Sequence, residues 1–127
     1  MSRSILVAVA AALAMVPMAV SAQSGNAARG ERLFNQQCKA CHSVEKNGST
    51  SVGPNLHGLF GRKAGETEGF ESSDAIRKSG IVWDDATLAE YLRDPAGRVP
   101  DTRMVYPGMR QQAQLGDVIA YLRKATQ

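Results

Sequence analysis

The chain has 127 residues, with 15 lysines and arginines against 12 aspartates and glutamates, and a net charge of +3. That length holds one domain with a modest core. There is no basic run and no interleaving of aromatics with cations, which excludes a nucleic-acid-binding surface of the usual kind.

Residues 1–22 read as a cleaved secretory signal peptide. Arg3 supplies a short positive start, Ile5 to Val20 is apolar, and Val20-Ser21-Ala22 puts small residues at a cleavage site. A membrane anchor is the competing reading. The apolar run is broken by Pro17 and falls short of the roughly 20 residues that a span needs. The expected mature chain, Gln23 to Gln127, is a single exported, periplasmic domain, with a net charge of +2 once Arg3 is removed.

From about Ala27 the pattern turns helical up to the cysteines, with Leu33, Phe34, Cys38 and Cys41 close to one stripe. Gly30 lies in that helix at a cost in propensity, which predicts a close approach by another helix. Asn47 to Phe70 is punctuated by glycine and proline and reads as loop. A short helix is predicted over Ser73 to Ser79, with a serine cap before it and Gly80 after it. A clearer helix follows Asp84-Asp85 with Leu88, Tyr91 and Leu92 on one face, and Asp94-Pro95 ends it. A second loop, Ala96 to Gly108, leads to a last helix from about Arg110 to Thr126. Its Leu115, Val118, Ile119 and Leu122 sit at i, i+3, i+4 and i+7. Strand signals are nearly absent, so the fold class is all-α.

Short helices of this kind are marginal without tertiary packing, and long structureless loops in a small domain need something to wrap around. Cys38-Lys39-Ala40-Cys41-His42 names a candidate. C-x-x-C-H is the attachment motif of c-type haem. Residues three and four apart share a helix face, so Cys38 and Cys41 can form thioethers while His42 reaches the iron. Zinc is weaker, because adjacent Cys41 and His42 fit one tetrahedron poorly even with His57 added. A thioredoxin-like dithiol wants a preceding strand. A disulfide across so small a loop would stabilise little.

An electron-carrying haem needs a sixth ligand. After loss of the signal, Met104 and Met109 are the remaining methionines. Met104 stands in VPDTRMVYPG between Pro100 and Pro107, a loop suited to reaching iron. Met109 borders the last helix, where methionine more often packs. His57 is a third candidate. Met104 is the expected ligand.

Four segments carry a family resemblance: GERLFNQQCKACHSVEKNGSTSVGPNLHGLFGRK, IVWDDATLAEYLRDP, VPDTRMVYPG and DVIAYLRKAT. In this order, from about Gly30 to Thr126, they resemble class I c-type cytochromes, the mitochondrial type and its close bacterial periplasmic relatives. The resemblance implies a small fold of three to five short helices and long loops around one covalent haem c. It implies that the Pro54 carbonyl accepts the His42 N–H, that Arg62 and Trp83 hold a haem propionate, and that Tyr91 and Thr102 line the methionine side. Gly30, Phe34 and Tyr121 would form the crossing of the first and last helices. There are departures. Ser72 stands where a propionate-bonding tyrosine is usual, and Ile76 where an asparagine is usual. Gln37, Ala96, Gly97, Arg103, Arg110 and Gln111 occupy positions where lysines ring the haem edge, which leaves few cations to steer partners.

The expected function is that of a soluble, monomeric, monohaem electron carrier with no catalysed reaction. It would cycle Fe(III)/Fe(II) between a membrane quinol–cytochrome c reductase and a terminal oxidase or photosynthetic reaction centre. The competing class is a small haem peroxidase or ligand-binding haem protein, which needs a labile sixth position; Met104 in its loop argues against it.

Overall fold

The computed structural model describes residues 25–127 apart from Ser51; the expected signal segment therefore lies outside the described residues. Five helices follow in order: α1 (Ala27–Gln37), α2 (Asp74–Lys78), α3 (Asp85–Arg93), α4 (Pro95–Arg98) and α5 (Gln112–Ala125). The only β pairing among the described residues is an isolated antiparallel bridge between Lys63 and Val82. The all-α class is as expected, and among these residues no helix is long and apolar enough to cross a membrane.

Four of the five helices start where a side chain satisfies a free amide; α5, after Gln111, has no such cap. The Asn26 side chain accepts from Arg29 N, Ser73 from Ile76 N, and Asp84 forms a reciprocal box with Thr87. The turn at Pro95–Arg98 falls where the sequence reading ended one helix and began a loop. Asp94 ends α3 but caps the next turn by accepting from Gly97 N, and Pro95 occupies its first position. Proline there is preorganised for helix and lacks only an amide that would have no partner. The stop signal for one helix is the start signal for another.

α1 and α5 cross face to face. At Gly30 there is no room for a side chain, since a Cβ would collide with the Asp117 carbonyl and lie 2.8 Å from Tyr121 Cβ. One turn on, Phe34 and Tyr121 pack with ring centroids 5.4 Å apart. The crossing is closed by Asp117, a buried carboxylate on α5. It accepts from Asn26 N at 2.6 Å and from Arg29 Nε and NH2 at 2.8 and 3.2 Å. The Arg29 hydrogen bonds, then the Asn26 amide, hold the Asp117 carboxyl below the usual carboxylate range, while burial pushes the other way.

A carboxyl depressed on folding stabilises the fold above its unfolded pKa, about 3.9. That contribution fades as pH falls from there through the lower folded value. Asp117→Asn is expected to cost about 1–2 kcal/mol at neutral pH, toward the low end for a hydrogen bond to a charged group because the Arg29 partner is exposed, and to flatten the acid limb of the stability curve. Denaturant midpoints of both proteins at pH 7 and pH 3 measure it; an equal loss at the two pH values would count against the clamp.

The long loop is ordered by bonds between residues distant in sequence. Gly61 N donates to Trp83 O, Trp83 N to Arg62 O and Ala64 N to Ile81 O, at 2.8 to 3.0 Å, while Gly58 N reaches Thr126 O at the end of α5. The core these elements build is hollow. Phe34, Leu59, Trp83, Leu88, Tyr91, Met109, Val118 and Leu122 are buried core residues and also line one cavity of about 700 Å³.

Candidate functional site

The cavity is within the roughly 300–1,000 Å³ of small-molecule and cofactor sites. Cys38, Cys41, His42, Pro54, Trp83, Tyr91, Thr102 and Met104 all line it, so one wall set gathers eight of the nine residues singled out in the sequence.

The motif end of the cavity forms where α1 runs out. Cys38 N donates to Phe34 O, and His42 N to Cys38 O at 2.9 Å, so a last turn carries both thiols and the imidazole. Neither cysteine is in a disulfide. Burial, and then neighbouring Cys41, pushes the Cys38 thiol up to about 11. Reactive dithiols have lowered thiol pKa values, so the structure gives Cys38 none of a redox nucleophile's environment. His42 Nδ1 lies 2.8 Å from the Pro54 carbonyl, which fixes the tautomer with the proton on Nδ1 and leaves Nε2 for a metal. Burial lowers the His42 pKa and the Pro54 bond partly restores it. Gly53 makes the approach possible, since a Cβ there would sit 2.6 Å from the imidazole Cε1.

At the opposite end of the sequence motif order, Thr102 to Pro107 alternates in exposure. Thr102, Met104 and Tyr106 are half-buried, and Arg103, Val105 and Pro107 are exposed. Tyr91 and Thr102 share a hydrogen bond of 2.8 Å between their hydroxyls, and Thr102 Oγ1 accepts from Met104 N at 3.4 Å. α3 thus steadies the backbone of Met104 from inside. Burial raises the Tyr91 pKa against the lowering effect of the Thr102 bond, keeping the phenol protonated. Met109 also lines the cavity, but it is 4% exposed, packed in the core, and its N–H is bound to Leu92 O.

Arg62 is the residue that the structure sets apart. It is not among the residues that line the cavity, and its NH1 and NH2 each donate at 2.9 Å, to His57 O and Asn55 O. Burial lowers its pKa. None of the ion pairs among the described residues involves it, so it is a half-buried cation paired with no carboxylate among the described residues. His57 is absent from the lining too. Among the described residues no three of His, Cys, Asp and Glu converge as a metal site, which removes the four-ligand zinc arrangement. Ser72 is buried and Ile76 half-buried, and both line the cavity. Sequence reasoning gave no role to Tyr106, whose phenol donates to Gln37 Oε1 at 2.6 Å. Nothing local marks a pair so far apart in the chain.

An apolar cavity, two unpaired thiols, an oriented imidazole, a thioether and an unbalanced cation nearby fit a haem with its acidic propionates. The family model for cytochrome c matches residues 27–126. A cytochrome c of Gibberella zeae is 44% identical over 102 residues, 80% of this chain and 96% of that protein. A cytochrome c of Sesamum indicum is 41% identical over 105 residues, 83% of this chain and 95% of the relative. A cytochrome c2 of Blastochloris viridis is 43% identical over 103 residues, 81% of this chain and 80% of the relative. The chain belongs to the cytochrome c family, and a single covalent haem c is the group for which its hollow core is shaped.

Proposed function

We propose that this chain is a periplasmic monohaem electron carrier, exported by a signal over residues 1–22. Cys38 and Cys41 would hold the haem through thioethers, and His42 and Met104 would ligate its iron. The observation that carries the reading is that an imidazole fixed by Pro54 and a methionine steadied through Thr102 and Tyr91 line the same apolar cavity as both thiols. When bound, the haem supplies a one-electron Fe(III)/Fe(II) couple, at a potential raised by methionine ligation.

The chain's own residues do the rest. Pro54 keeps the His42 imidazole in one tautomer and raises its basicity. Leu59, Leu88 and Leu122 exclude water. Trp83 meets the propionate from the wall, while Arg62, held by the His57 and Asn55 carbonyls, contributes a fixed positive charge.

Its partners are a quinol–cytochrome c reductase as donor and an oxidase or photosynthetic reaction centre as acceptor, engaged transiently by a monomer. Gln37, Ala96, Gly97 and Gln111 are exposed and uncharged, with Arg103 and Arg110 as the cations among the six edge positions. Long-range steering is accordingly weak.

One experiment tests the carrier and its partner. The purified exported holoprotein is titrated reductively, exposed to carbon monoxide, then mixed with reductase-bearing membranes at rising salt. The expected outcome is a single reversible one-electron wave, no rapid carbon monoxide binding at neutral pH, and a rate that falls only shallowly with salt. Rapid carbon monoxide binding would instead favour a peroxidase or ligand-binding protein, and a steep collapse of rate would contradict weak steering.

A further inference from the structure

The bond between Tyr106 and Gln37 joins residues 69 positions apart. Gln37 is the last residue of α1, next to Cys38; Tyr106 is two residues past Met104. Both line the cavity, Gln37 exposed and Tyr106 half-buried, so they meet at its rim. The Met104 segment has a second outer tie, from Arg103 NH2 to Glu71 O at 2.6 Å, and the inner one through Thr102 to Tyr91. Of these, only the Tyr106 bond connects it to the helix end that carries the thiols. That bond depends on what stands at position 37. A glutamine amide offers an acceptor oxygen to the phenol, whereas the lysine that the resemblance leads one to expect there has no acceptor.

We propose that Tyr106 and Gln37 form a latch that holds the Met104 segment across the cavity mouth. They are positioning residues that set how readily an outside ligand displaces Met104 from the iron. The inference rests on the reading of Met104 as axial ligand. Opening the mouth must break this bond before Met104 can swing away, so losing it raises the population of the open form. At the rim a neutral hydrogen bond is worth roughly a three- to tenfold change in that population.

The test is imidazole binding to the ferric holoprotein, followed by loss of the methionine–iron absorption band. Tyr106→Phe and Gln37→Ala should each increase imidazole affinity roughly three- to tenfold. The double variant should gain no more than either single one, since both remove the same bond. Thr87→Ala, which breaks the α3 cap far from the rim, should lower global stability and leave imidazole binding unchanged. Met104→Ala serves as the open reference. If Tyr106→Phe binds imidazole as the parent does, or if the Thr87 variant gains as much, the latch is overturned while the ligand reading stands. If the parent protein shows no methionine–iron band and binds imidazole as Met104→Ala does, the ligand reading falls and the latch with it.

Discussion

Gly30→Ala is expected to destabilise the protein by about 2 kcal/mol or more, within the range of overpacking a tight contact. Helix propensity alone argues the opposite sign, since alanine in a helix interior is worth about 1 kcal/mol over glycine. Geometry decides between them. The atom in the way is the Asp117 backbone carbonyl oxygen, held inside α5, with Tyr121 Cβ close behind. Neither is the far end of a flexible side chain that can step aside. α1 must back away, and in doing so it loosens the Phe34–Tyr121 ring contact and the Asn26 and Arg29 bonds to Asp117. Ala28→Gly, at an exposed position in the first turn of the same helix, isolates propensity and should cost less than the roughly 1 kcal/mol of a helix interior. Denaturant unfolding of the parent holoprotein and both variants measures the difference. A midpoint for Gly30→Ala equal to or above the parent's would mean that the helices can separate freely, and the tight crossing would be wrong.

Met104→Ala is expected to abolish the methionine–iron band, admit carbon monoxide to the reduced protein and lower the reduction potential by on the order of 100 mV, within the span that axial ligands control. Met109→Ala should behave differently. Met109 is almost fully buried with its backbone bound to Leu92, so its loss should cost about 2–5 kcal/mol as a core truncation and leave the band in place. The pair separates ligation from packing at two methionines that share one cavity. Loss of the band in the Met109 variant, with retention in the Met104 variant, would reverse the assignment.

What could be read from the sequence was what is local. The turn Cys38–His42, the acidic cap at Asp84 and the apolar stripe of α5 each lie within a few residues and are where the pattern put them, while the serine cap of α2 falls at Ser73, one residue later than expected. The need for a filling group was legible too, as too little helix for so much loop; the hollow core is its physical counterpart. What escaped depends on distance. The segment from Asn47 to Phe70 looked unstructured because its order comes from Trp83, Ile81 and Thr126, which no periodicity near residue 60 reveals. Arg62 was placed near the cofactor by resemblance alone, and its two hydrogen bonds to carbonyls of its own loop were not legible in the pattern. The α4 turn was hidden because proline breaks and begins helices with equal ease, and only the Asp94 cap tells which.

The hollow core has one more consequence. The side chains that keep this fold together are also the electron's immediate dielectric surroundings. A replacement at Leu59, Trp83 or Leu122 that leaves a gap cannot be healed by inward collapse, because a rigid ring occupies the space the wall would move into. The gap stays, water has a path toward the iron, and the penalty is divided between melting temperature and redox potential. Drift in this wall is therefore constrained twice over, with thermal robustness and driving force inherited as one trait.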